Sequence, residues 1–176
     1  MSKPAYLWRK LTSQQREQLM GWRKNQGLPW HRPPHRAVPH TRYHVTAACY
    51  EHRPWIGLNT ERMGAFSLML LEQVKANYAR IHAWCVLPNH YHLLIESVEI
   101  LGLLNALGKL HGKTSFQWNG EEQLRGRQVW CGAAERYMRN DAHFWATLNY
   151  VHHNPVRHGY AERWQDWPFS SGQEYL

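Results

Sequence analysis

Two strand-like runs separated by only two residues place the tightest constraint on this chain. Residues 81–87 (IHAWCVL) and 90–96 (HYHLLIE) are rich in aliphatic, aromatic and β-branched side chains, and Pro88 and Asn89 between them supply turn chemistry. So short a connection reads as an antiparallel hairpin. Within the second run, alternate residues share a face. Tyr91, Leu93 and Ile95 then enter a core while His90 and His92 project together from the other side.

The flanking segments extend the pattern. Tyr43, Val45 and Ala47 alternate with His44 and Thr46 in a first strand, and a folded core is expected to begin near His40. Asn59 or Thr60 caps a helix running to about Arg80, with Met63, Phe66, Leu70, Val74 and Tyr78 at spacings of three and four. A second helix covers residues 101–118, with Leu104, Leu107 and Leu110 inward and Lys109 and Lys113 toward solvent. Residues 127–138 read as a strand or a twisted pair broken at Gly132. Asn140 or Asp141 caps a last helix that stops near Asn154, because Pro155 disfavours helical geometry in the residue before it. Trp164, Trp167 and Phe169 in the tail pack back on the body. This order predicts an α+β fold, a ferredoxin-like split βαβ with a central antiparallel sheet, to which a C-terminal helix is added.

Charge divides the 176 residues unevenly. The net charge is +8, and residues 1–56 hold 10 Lys and Arg against 2 acidic residues, so the remainder is neutral. The reading is two parts, a basic, Pro-rich arm over residues 1–39 and a folded domain over residues 40–176. A short amphipathic helix from Leu11 to Trp22, with Ser13 as N-cap and Gly27 as stop, is expected inside the arm. The arm interleaves Tyr6, Trp8, Trp22 and Trp30 with Arg32 and Arg36; cations neutralise phosphates and aromatic faces stack on bases, so the mixture suits nucleic acid. A solvated arm would carry a similar charge. No run approaches the ~18 apolar residues that span a membrane, and the N-terminal residues lack the apolar stretch of a secretory signal. A cytoplasmic protein is expected. Cys49, Cys85 and Cys131 are widely spaced with no CxxC, which argues for reduced, mostly buried thiols rather than disulfides or a cysteine zinc site.

His90 and His92 on one face of a strand can ligate a single metal ion, although two ordinary surface histidines would give the same pattern. Tyr150 and Asn154, four apart, lie on one helical face and can offer a phenol as nucleophile and a carboxamide oxygen as ligand. A core tyrosine fits that spacing too. Tyr137 is a second tyrosine, with Asp141 rather than a carboxamide at the i+4 position. His152, His153 and His158 lack the cysteine or carboxylate that would close a zinc site.

In combination, WCVLPNHYHLL, YVHHNPVRHGY and the downstream WPFSS resemble the REP-associated tyrosine transposases, single-tyrosine members of the HUH nuclease superfamily, over roughly residues 40–171. One departure is Tyr91 between the two histidines, where the family carries an aliphatic residue. The resemblance implies His90, His92 and Asn154 as ligands of Mg²⁺ or Mn²⁺ and Tyr150 as the nucleophile. It implies a single-stranded or hairpin DNA substrate of the REP type, a 5′-phosphotyrosine intermediate, and either a monomer or a dimer. Arg32, Arg36, Arg42, Lys113, Arg157 and His158 are the expected DNA contacts. Two rival readings are a hairpin-binding protein that no longer cuts, and a metal-independent RNA nuclease that would not need Tyr150.

Overall fold

The computed structural model describes residues 11–25 and 41–175. The chain forms two compact units, residues 1–36 and 37–176. In the first, helix α1 (Ser13–Asn25) is capped one residue earlier than expected: Thr12 Oγ1 accepts from the Gln15 amide at 3.2 Å while Gln15 Oε1 accepts from the Thr12 amide at 2.9 Å. This reciprocal capping box makes Ser13 the first helical residue. Arg32, Arg36 and Gly27 lie outside the described residues.

The second unit is built on a four-stranded antiparallel sheet in the order β2-β3-β1-β4, from β1 (Thr41–Ala48), β2 (Arg80–Leu87), β3 (His90–Ser97) and β4 (Ala134–Tyr137). Helix α2 (Thr60–Ala76) links β1 to β2, and α3 (Ile100–Glu121) links β3 to β4, which is the ferredoxin-like arrangement the element order predicts. The β2–β3 turn is Pro88-Asn89, with Leu87 opposite His90. Gly57 is placed there by necessity: a Cβ on it would lie 2.4 Å from Pro88 Cβ, and its amide donates to Pro88 O at 2.9 Å.

Both faces of the sheet are covered. Tyr43, Val45, Tyr91, Leu93 and Ile95 pack against Phe66, Leu70 and Val74 of α2 and Leu103, Leu107 and Trp118 of α3. A smaller cluster on the opposite face joins Ala83, Cys85, Leu87 and Leu94 to Phe144, Leu148 and Val151 of α4 (Asp141–His152). That second layer buries the histidine face as well, so His90 and His92 are only 7% and 5% exposed.

Several expectations are corrected. Helix α2 ends at Ala76, and Tyr78, with φ 54° and 91% exposure, belongs to the turn into β2 rather than to the apolar stripe. Of residues 127–138 only 134–137 form a strand, with an isolated bridge between Cys49 and Trp130. The helical path does not end at Asn154. It breaks at His153 and resumes as the single turn α5 (Asn154–Arg157), where Pro155 is tolerated because the first helical amides need no intrahelical acceptor. Cys49 and Cys85 are buried thiols pushed upward in pKa by desolvation, Cys49 to about 12, whereas Cys131 is exposed.

The tail closes the outer edge of β2. Val86 N donates to Phe169 O at 2.8 Å, Trp167 Nε1 donates to Val86 O at 2.8 Å, and Cys85 bridges Ser170. Ser171 Oγ accepts from Trp84 N at 2.9 Å and lies 2.9 Å from His152 Nε2, which ties α4 to this edge. The serines of WPFSS thus serve the fold locally, by pairing a strand edge that would otherwise be open.

Candidate metal and tyrosine site

Strand β3 and the α4–α5 break bring four sequence-predicted residues together. Nε2 of His90 lies 3.2 Å from Oδ1 of Asn154, which is fully buried. The rings of His90 and His92 are 4.9 Å apart, and the Tyr150 ring is 5.2 Å from that of His92. Tyr150 is half-buried at the border of the smaller core.

Hydrogen bonding around His90 sets its tautomer. Asn89 Nδ2 donates to His52 O at 3.0 Å, which turns Asn89 Oδ1 toward His90 Nδ1 at 2.6 Å. Nδ1 therefore carries the proton, and in the neutral ring Nε2 presents a lone pair. Glu51 and His52 hold the supporting loop in the left-handed region, with φ 57° and 52°. Strain of this kind beside a polar cluster is a common mark of a functional site.

The donor set fits a divalent cation. His90 Nε2 and Asn154 Oδ1 stand 3.2 Å apart, a spacing that two ligands of one small cation can take. Ligands at right angles around a small cation with bonds of ~2.1 Å stand about 3.0 Å apart. Asn154 Nδ2 is buried with no hydrogen-bond partner among the described residues. Among the described residues no three His, Cys, Asp or Glu side chains form a group that could hold a metal ion; the carboxamide oxygen of Asn154 is the donor nearest His90 Nε2. Two imidazoles and an amide oxygen form a mixed borderline-and-hard set that a divalent cation can accept, with coordination positions left open.

The remaining expected residues divide. Arg157 lies with its guanidinium carbon 5.2 Å from the Tyr150 ring, and the His158 ring is 5.0 Å from that of His90. Arg42 pairs with Asp141 at 2.5 Å and covers the Phe144 ring at 4.6 Å, tying β1 to the start of α4. Lys113 is exposed on α3, across the sheet from the histidines. Tyr137 is opposite Tyr43 in the β1–β4 register and packs edge-on to it at 6.4 Å, so it faces away from His92. His152 is stacked on Trp164 and bonded to Ser171, a packing role that takes it out of any zinc cluster.

Sequence reasoning missed His44 and Asn89. Nε2 of His44 is 3.0 Å from Nδ1 of His92, and the His44 ring is 5.9 Å from Tyr150. Burial first, then the charges of Arg136 and His143, push the His44 pKa down to about 4. The alternation of residues 43–47 already put His44 on the face away from Tyr43. What the sequence lacked was the register that sets Thr46 opposite His92.

No family model matches the chain. A Haemophilus influenzae protein assigned as a REP-associated tyrosine transposase is 33% identical over 51% of this chain and 56% of its own length. The REP-associated tyrosine transposase of Escherichia coli K12 is 29% identical over 52% of this chain and 53% of its own. The chain thus spans about half the length of the curated relatives it matches. The solved structure of a REP-associated tyrosine transposase bound to a REP hairpin superposes with a TM-score of 0.63 at 18% identity, covering 80% of this chain and 82% of that one, a likeness of fold.

Proposed function

We propose, from its similarity to REP-associated tyrosine transposases, that the chain nicks and rejoins single-stranded DNA beside a hairpin, using Tyr150 as nucleophile. The observation that carries the reading is the approach of His90 Nε2 to Asn154 Oδ1 at 3.2 Å, with Tyr150 beside His92.

His90, His92 and Asn154 would hold a divalent Mg²⁺ or Mn²⁺, which when bound neutralises charge on the scissile phosphate and polarises phosphorus. The Tyr150 oxygen forms a bond to phosphorus as the bond to the 3′-oxygen breaks. The DNA 5′ end is left as a phosphotyrosine; the proton that the Tyr150 hydroxyl gives up balances the one the departing oxygen takes to become a 3′-hydroxyl. One phosphodiester replaces another of similar energy, so attack by a second 3′-hydroxyl reverses the step without ATP. The α4–α5 break sets Tyr150 and Asn154 on successive turns, and the His152–Ser171 contact holds that helix against β2. Arg157, over the Tyr150 ring, brings positive charge to the attacking group and its phosphate.

Labelled single-stranded DNA carrying a hairpin, incubated with the protein and Mn²⁺, should yield cleaved product that is lost in Tyr150→Phe and in EDTA. Hairpin binding without cleavage by the wild type would leave a DNA-binding protein. RNA cleavage persisting in both Tyr150→Phe and EDTA would point to acid–base chemistry instead.

A further inference from the structure

We infer that His44 is a positioning residue for His92: its Nε2 accepts the hydrogen on His92 Nδ1 and thereby holds His92 in the tautomer that keeps the lone pair on Nε2, the nitrogen it would offer to a cation. This inference rests on the reading of His90, His92 and Asn154 as a cation site.

The geometry comes from the sheet. His92 is opposite Thr46 in the β1–β3 register, so His44 is its diagonal neighbour on the same face, a separation that long side chains span. The Nε2–Nδ1 distance is 3.0 Å and the two rings are tilted by 33° at 5.0 Å. A bond between two imidazoles can run in either direction, and the chemistry of the pair chooses one. If His92 ligates through Nε2, its proton sits on Nδ1, and His44 Nε2 must be the acceptor.

His90 supplies an independent parallel. It too has an acceptor at Nδ1, the Asn89 oxygen at 2.6 Å, and its Nε2 lies 3.2 Å from Asn154 Oδ1. The two candidate ligands are therefore oriented from behind by different devices, a turn carboxamide for one and a strand imidazole for the other. His44 also meets the Tyr150 ring edge-on, so the side chain that orients His92 forms part of the wall beside the nucleophile.

The test uses the full chain. Long-range ¹H–¹⁵N spectra of the metal-free protein report the His92 tautomer, and Mn²⁺ titration followed by electron paramagnetic resonance reports affinity. The expected result is a proton on His92 Nδ1 in the wild type, with Mn²⁺ affinity falling about 10- to 100-fold in His44→Phe. His44→Gln, whose amide oxygen can accept the same hydrogen, should retain most of the affinity even if the Phe variant folds poorly. A proton on His92 Nε2 in the wild type overturns the inference, as does unchanged affinity in His44→Phe. Equal Mn²⁺ binding by wild type and His92→Ala, with the tautomer as inferred, locates the failure in the cation site itself and removes the positioning role with it.

Discussion

Nε2 of His90 and Oδ1 of Asn154 stand 3.2 Å apart, although 64 positions separate them in the chain. Their approach depends on the break at His153, which lets Asn154 start a new helical turn at the edge of the sheet. Substituting Asn154 by Leu keeps the bulk and removes the oxygen. Mn²⁺ affinity should then fall at least about tenfold, while Asn154→Asp, which keeps an oxygen at that position, should hold affinity or raise it. Titration calorimetry on both variants checks this, and equal affinity in the wild type and the Leu variant would remove Asn154 from the ligand set.

The turn that presents His90 has no room to spare. A Cβ at Gly57 would meet Pro88 Cα at 2.7 Å, a backbone atom that cannot swing aside. Gly57→Ala should destabilise the fold by about 1–3 kcal/mol and, by displacing Asn89, impair cleavage beyond the loss of folded protein. Urea unfolding and cleavage rate, measured together, separate the two effects.

Closure of the β2 edge should be measurable as well. Ser171 is buried and joins the Trp84 backbone to His152. Ser171→Ala leaves a buried amide and an imidazole nitrogen short of a partner, at a cost of about 1–3 kcal/mol. The melting temperature should drop, and the amide protons of α4 should exchange faster.

Acid should weaken the fold through its buried histidines. Burial pushes the His111 pKa from 6.5 down to about 4, while its Nε2 stays 3.1 Å from the Tyr91 hydroxyl. As pH falls from 6.5 toward 4 the unfolded chain takes up a proton that the folded chain refuses. Stability, complete above pH 6.5, is lost through that window and then levels off. His44 and His152 shift in the same direction. Urea unfolding across the window should show this decline, and His111→Gln should reduce its slope by up to about 1.4 kcal/mol per pH unit.

The parts legible in the sequence were those with local causes. The Pro88-Asn89 turn, the alternation through Tyr91, Leu93 and Ile95, and the caps at Asn59 and Asn140 each follow from a few neighbouring residues, and the structure has all of them. The His90–His92 pair was legible from the strand period, whereas the pairing of Tyr150 with Asn154 assumed an unbroken helix and the structure instead brings them together across the break at His153. The misses depended on long-range pairing. His44 needs the β1–β3 register, Asn89 needs the His52 carbonyl, and WPFSS needs an open β2 edge to show why it carries two serines. Tyr78 was misplaced because an i+4 spacing continues past Ala76, where the backbone turns left-handed.

The central claim is that Tyr150 becomes covalently joined to DNA. The direct measurement is peptide mass mapping after incubating the full chain with hairpin-bearing single-stranded DNA and Mn²⁺, followed by nuclease trimming of the DNA. The account predicts a phosphonucleotide on the peptide containing Tyr150, and none in Tyr150→Phe. A modification on the Tyr137 peptide, or cleavage with no protein-bound nucleotide, would contradict it.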